Sequence, residues 1–193
     1  MRKKTIICSL LLFCSTFIFG QKNEFNLIKL DSTWGKEALR FPARNMNYIG
    51  VGEVRFPPKG WIKPEHPNFW SYTYAWNINV SREIPEKELE LNLVKYFNSL
   101  NNIEMNDDTN SKYTLAKVNK IKKVGNATFF KGSVKVFDRF ATNKQITLNV
   151  KIESHYCKKE KRTLLLFKFS PKEFKHKTWE MLERVKLLFN GCD

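Results

Sequence analysis

Residues that carry out chemistry are scarce in this chain of 193 residues, which contains three histidines and four cysteines. None of the histidines, His66, His155 and His176, has another histidine three or four residues away, the spacing that suits two metal ligands on one element. The chain also lacks a C-x-x-C pair, a G-x-S-x-G elbow and a glycine-rich phosphate loop. The sequence therefore predicts no cofactor and no metal site, and no motif identifies a catalytic residue.

Long apolar runs are absent beyond the N-terminus. Residues 5–19 are mostly apolar, follow three basic residues and precede the small residue Gly20, a pattern typical of a secretory signal peptide. The run is short for a membrane span of roughly 20 residues, although an uncleaved anchor remains the alternative. We predict a signal peptide over 1–20 and a single domain over 21–193. That domain is expected to be periplasmic or secreted, soluble and not membrane-spanning.

Cysteines are too few for a disulfide-rich scaffold. Cys8 and Cys14 lie in the predicted signal peptide, which leaves Cys157 and Cys192. In an oxidising compartment such a pair predicts a disulfide between a strand end and the C-terminus. Two unpaired thiols are the alternative, and Cys157 is then close enough to His155 along a strand for a catalytic dyad.

Acidic residues are outnumbered, with 34 Lys and Arg against 19 Asp and Glu, and the formal net charge is +15. Such a charge favours anionic surfaces, including lipid headgroups and glycans. Most of the lysines are scattered, however, and indicate a solvated surface. Nucleic acid is not a predicted partner, because the aromatic strand face described next carries no Lys or Arg.

Aromatic residues are abundant, with 16 Phe, 6 Tyr and 5 Trp. In the segment "FWSYTYAWNINV", Phe69–Val80, alternate residues of a strand would place all of the large rings after Phe69 on one face. These rings belong to Trp70, Tyr72, Tyr74 and Trp76. Because the row continues into Ile78 and Val80, it predicts a buried core, with a partly open aromatic groove as the alternative.

The order of the elements predicts an α+β fold. A proline and a stripe of apolar residues predict a helix over 85–100, and a second helix is predicted from "SPKE", with Ser170 as its cap. A short helix is possible from Thr33. Strands are expected near 47–56, 69–80, 113–122, 128–139, 145–156 and 163–169. We therefore predict a mostly antiparallel sheet of about six strands in the order ββα-ββββα, with both helices on one face.

Three segments, "EVRFPPKGW", "FWSYTYAW" and "FKFSPKEFKHKTWEMLERVKLLFNGC", resemble a family of uncharacterised secreted bacterial proteins of Bacteroidota type. That family has a FPPG-like turn, a WSY-x-x-x-W strand and an S-P-x(7)-W helix followed by Cys. The matching positions, from about Trp34 onward, are Pro57, Pro58, Gly60, Trp70, Ser71, Tyr72, Trp76, Ser170, Pro171, Trp179 and Cys192. Lys59 departs from the turn's pattern. The resemblance implies a secreted domain and no catalytic residue.

The sequence favours a non-catalytic binding module for an envelope component or a small ligand. The candidate ligand-binding residues are Trp61, His66, Trp70 and Tyr72, which surround the turn before the aromatic strand. A hydrolase that uses His66 or His155 with a nearby carboxylate is one alternative. A basic surface that docks on anionic lipid or glycan is the other.

Overall fold

A computed structural model describes residues 25–41, 46 and 48–188. The predicted signal peptide and Cys192 lie outside these residues. The elements are β1 (Ile28–Lys29), β2 (Gly35–Phe41), β3 (Gly50–Phe56), β4 (Tyr72–Ile78), α1 (Glu86–Leu100), β5 (Leu115–Val124), β6 (Ala127–Asp138), β7 (Lys144–Cys157), β8 (Arg162–Ser170), α2 (Lys177–Glu183) and β9 (Lys186–Leu187). In this part of the chain, neither helix has the length and apolar character needed to cross a bilayer.

A seven-stranded sheet, in the order β2-β3-β4-β8-β7-β6-β5, forms the centre of the fold, and every neighbouring pair is antiparallel. Strands β1 and β9 form a separate two-stranded ribbon. The α+β class and the mostly antiparallel sheet are confirmed. The predicted count of about six strands and the predicted order are wrong, because β1, β2 and β9 were not expected.

Strand β2 replaces the short helix considered from Thr33. Its residues pair with β3 along the whole strand, from Gly35 opposite Phe56 to Phe41 opposite Gly50. Glu, Ala and Leu in "GKEALRF" favour a helix only weakly, so pairing with the neighbouring strand decides the structure.

The helices lie on opposite faces of the sheet, which corrects the prediction that they share one. The apolar stripe of α1, including Leu93 and Phe97, packs in the larger core with the aromatic row of β4. Helix α2 packs in a second core, where Leu182 joins Leu164 and Leu166 from β8. Strand β8 is buried on both faces, so each face requires a covering element.

Helix α2 begins later than predicted. Ser170 is the last residue of β8, and its hydroxyl accepts a hydrogen bond from the Lys172 amide and contacts the Ser71 hydroxyl. The N-cap is His176, whose ring accepts a hydrogen bond from the Thr178 amide. The predicted cap at Ser170 is therefore wrong, because this hydroxyl terminates the strand instead.

The aromatic row of β4 is core, as its continuation into Ile78 predicted. Trp76 and Ile78 are 0% exposed, and Tyr74 is 1% exposed. The Trp76 ring lies 4.4 Å from that of Phe167 on the adjacent strand β8. The N-terminal end of the row, at Trp70 and Tyr72, lines a cavity.

Candidate functional site

An aromatic cavity of about 360 Å³ lies at one end of the sheet, on the face covered by α1. The end of β3, the loop before β4, the last turn of α1 and the turn between β6 and β7 enclose it. Its lining residues are Glu37, Phe56, Trp61, Trp70, Tyr72, Tyr96, Leu100 and Phe140. Three of the four candidate residues from the sequence, Trp61, Trp70 and Tyr72, thus meet at this cavity.

The fourth candidate, His66, does not line the cavity but supports the loop that shapes it. Gly60 has a φ of +83°, and a Cβ atom there would lie 2.0 Å from Nδ1 of His66. That nitrogen accepts a hydrogen bond from the Asn68 amide at 3.1 Å. Glycine is therefore required at position 60, because a side chain there would need a positive φ and would collide with the His66 ring. The imidazole of His66 stabilises the loop by packing against Gly60 and by accepting the Asn68 amide.

Trp70 is held in a strained position by its neighbours. Its φ is +48°, a left-handed conformation that is costly for a bulky residue. Its amide donates to the Trp61 carbonyl oxygen at 2.9 Å, and its indole hydrogen-bonds Asp138. These contacts hold the indole against the turn that carries Phe140, with the two rings 5.8 Å apart.

Asp138 organises that turn. Its carboxylate accepts hydrogen bonds from the amides of Phe140 and Ala141 at 2.9 and 3.1 Å, and from the amide and hydroxyl of Thr142 at 2.9 and 2.7 Å. Burial raises its pKa, but the bonds from Thr142, Trp70 and Phe140 together lower the pKa below its ordinary value. The residue is therefore a turn cap that also orients one wall of the cavity.

The electrostatics of the cavity are unusual for so basic a chain. Its lining contains one charged side chain, the exposed carboxylate of Glu37, and no Lys or Arg. Two buried polar atoms of lining residues, the indole nitrogen Nε1 of Trp61 and the hydroxyl oxygen of Tyr72, have no hydrogen-bond partner in the part of the chain that the structure describes. Burial, followed by the charge of Tyr96, raises the pKa of Tyr72, which keeps its phenol neutral. The lining is thus mainly apolar, contains no basic side chain, and includes two residues with an unpartnered polar atom.

The loop before β4 is tied to α2 on the far side of the sheet. The Ser71 and Ser170 hydroxyls lie 2.8 Å apart, and the Thr178 hydroxyl donates to the Pro67 carbonyl oxygen at 3.0 Å. Trp179 donates from Nε1 to the Lys172 carbonyl oxygen at 2.9 Å. The first two bonds join the loop before β4 to the end of β8 and to α2, and the third joins α2 to the segment after β8.

Five lining residues were not among the sequence candidates: Glu37, Phe56, Tyr96, Leu100 and Phe140. Tyr96 and Leu100 belong to the apolar stripe of α1, which identified them as inward-facing but not as cavity residues. Phe140, 46% exposed, lies in a turn 70 residues beyond Trp70. No local pattern indicates that these segments converge.

The remaining residues singled out from the sequence have local partners. His155 lies 11% exposed at its side chain, with Nε2 2.5 Å from Oε1 of Glu153. This hydrogen bond lowers the pKa of Glu153.

Cys157 is buried in the second core with Leu187 near the end of the described chain. Because Cys192 lies outside the described residues, the predicted disulfide stays a prediction.

Within the described ranges, no three His, Cys, Asp or Glu side chains converge as a metal site would require. Comparisons of the chain with protein-family models, with curated proteins and with solved structures return no match. The resemblance to secreted bacterial proteins therefore stays an expectation.

Proposed function

We propose that this protein is a secreted or periplasmic binding module that takes a small, mainly apolar ligand in the aromatic cavity. The observation that carries the proposal is the cavity itself: a space of about 360 Å³ lined mainly by aromatic rings, with the buried Nε1 of Trp61 left unpaired by the described residues. A small ligand site is typically a mostly apolar pocket of this size with a few placed polar groups.

The lining indicates the character of the ligand. Aromatic rings favour apolar or aromatic groups, and a buried donor without a partner favours a ligand with a hydrogen-bond acceptor. The carboxylate of Glu37, with no basic residue in the lining, disfavours an anion. The preferred ligand is therefore neutral or cationic, largely apolar, and carries one acceptor.

Three naphthalene probes of similar size test these properties: 2-acetylnaphthalene, 2-ethylnaphthalene and 2-naphthoate. Their affinities for the purified protein can be measured by equilibrium dialysis. We expect 2-acetylnaphthalene to bind roughly five- to tenfold more tightly than 2-ethylnaphthalene, because its carbonyl accepts from Trp61. The anionic 2-naphthoate should bind most weakly.

The variant Trp61→Phe keeps an aromatic ring and removes the donor, so it should abolish the preference for 2-acetylnaphthalene over 2-ethylnaphthalene. Ile62→Ala is the matched control, because this neighbouring side chain is 54% exposed and does not line the cavity. Failure of all three probes to bind, or tightest binding of 2-naphthoate, would contradict the proposal.

A hydrolytic function draws support from the His155 and Glu153 pair, since a carboxylate that orients an imidazole is a common arrangement for a general base. Both residues lie on β7, on the sheet face that does not carry the aromatic cavity. A reaction that depends on them would be lost in His155→Ala and retained in His66→Ala. Binding of 2-acetylnaphthalene should be unchanged in His155→Ala.

A further inference from the structure

A second concave surface lies on the opposite face of the sheet, beside α2. This lysine groove has a volume of about 450 Å³, and five lysines and two glutamates contribute to its lining. The floor is apolar, with Phe129 and Leu166 among the lining residues. It is separated from the aromatic cavity by the sheet, and no residue lines both.

Three of the lysines stand in one row across three adjacent strands. In the sheet register Lys131 lies directly opposite Lys151, and Lys151 lies directly opposite Lys168. Like charges placed directly opposite each other on neighbouring strands destabilise a sheet. A row of three lysines therefore destabilises the sheet unless negative charge lies beside it.

Glu183 of α2 supplies part of that compensation. Its two carboxylate oxygens lie 2.5 Å from Nζ of Lys151 and 3.2 Å from Nζ of Lys168. Lys168 is the deepest of the three, with a side chain that is 5% exposed. The other lining carboxylate, Glu153, is engaged by His155.

Three groove lysines have no carboxylate partner among the residues that the structure describes: Lys122, Lys131 and Lys186. Two of them lie over aromatic rings, Lys131 at 3.9 Å from the centre of Phe174 and Lys122 at 5.2 Å from that of Phe129. Such contacts hold ammonium groups at the rim without neutralising them. The groove therefore keeps an excess of positive charge above an apolar floor.

We propose that the lysine groove binds an amphipathic anion, a phosphate group attached to an apolar chain. The phosphate would lie between Lys131, Lys186 and Lys122, and the chain would lie on the floor at Phe129. This site is independent of the aromatic cavity, whose lining disfavours anions.

Octyl phosphate is a direct probe, titrated into the purified protein by isothermal calorimetry. Lys131→Gln should weaken its binding about tenfold, because one charge-assisted hydrogen bond is lost. Lys135→Gln is the matched control: this exposed lysine lies on the same strand, four residues further along, outside the groove. Binding should also weaken as salt is raised.

Two further ligands separate the parts of the proposal. Inorganic phosphate carries the charge alone and octyl glucoside the chain alone, so both should bind at least tenfold more weakly than octyl phosphate. Trp61→Phe should leave octyl phosphate binding unchanged, which distinguishes this site from the aromatic cavity. The proposal is overturned if octyl phosphate does not bind, if Lys135→Gln weakens it as much as Lys131→Gln, or if either partial ligand binds equally well.

Discussion

The Trp76 indole lies at the centre of the larger core, where the rings of Phe41, Tyr74 and Phe167 surround it at centroid distances of 4.4 to 5.7 Å. It is 0% exposed. At the scale of single residues, rings in this position stabilise the fold, while the rings of Trp61 and Trp70 line the aromatic cavity. The two roles can be separated by mutation.

Trp76→Ala should lower the free energy of unfolding by about 3 to 5 kcal/mol, because it removes a buried ring and leaves a cavity. Urea titration measures the change. Leu91→Ala on the outer side of α1, where the side chain is 46% exposed, should change it by less than about 0.5 kcal/mol. A small effect at Trp76 would mean that this ring is not core.

Asp138→Asn should destabilise the protein by about 2 kcal/mol at neutral pH, because it removes the charge that strengthens four hydrogen bonds in the turn. The pKa of Asp138 is lower in the folded protein than its ordinary value of 3.8. Its contribution is therefore complete above about pH 4 and is lost as the pH falls through the folded pKa.

Urea titrations of both proteins between pH 2 and 7 would show this dependence as a difference that shrinks on acidification. Asp108→Asn, at an exposed loop position, is the control. A difference between Asp138→Asn and wild type that stays constant down to pH 2 would contradict the role assigned to the charge.

At the scale of elements, α1 protects the edge strand β5. Carboxylate oxygens of Glu90 and Glu86 accept hydrogen bonds from the outward amides of Val118 at 3.0 Å and Lys120 at 3.3 Å. An unpaired strand edge is otherwise a template for association with another chain. The helix thus covers this edge with side chains as well as packing on the sheet.

Glu90→Ala should leave the Val118 amide without its partner, at a cost of about 1 to 3 kcal/mol. Amide hydrogen exchange should become faster at Val118, and Glu104→Ala in the exposed loop after α1 should have no such effect. Unchanged exchange at Val118 would show that Glu90 does not protect the edge.

The bounds of α1 could be predicted to within one residue, because a proline that marks its start and a stripe of apolar residues both lie within the same short segment. The sequence was insufficient for β2, whose strand conformation depends on pairing with β3. It was also insufficient for the placement of α2, because the run "TLLLFKF" in β8 is buried on both faces and periodicity alone does not show which element covers each face.

At the scale of the whole molecule, the sheet separates an aromatic cavity from a lysine groove. Trp61, Trp70 and Tyr72 could be anticipated because they are close in sequence and share a turn. The approach of Phe140 and Tyr96 could not, since it depends on contacts between distant segments. The lysine row could not be predicted either, because it depends on the register in which β6, β7 and β8 pair.

The predicted disulfide would join the end of β7 to the C-terminus around α2 and β9. In the chain from Gln21 onward, Cys192→Ser should lower the free energy of unfolding by about 3 to 4 kcal/mol, because the unfolded chain gains freedom. A reductant should have the same effect on the wild type and none on the variant. Two free thiols in the denatured wild-type protein would contradict the pairing.

On the function proposed above, the Trp61 indole N–H donates to a ligand in the aromatic cavity. The most direct measurement is the NMR signal of the Trp61 indole N–H during titration with 2-acetylnaphthalene, assigned by its disappearance in Trp61→Phe. We expect that signal to move downfield on binding, to move far less with 2-ethylnaphthalene, and the signals of Trp34 and Trp179 in the second core to stay in place. An unchanged Trp61 signal at saturating 2-acetylnaphthalene would contradict the account.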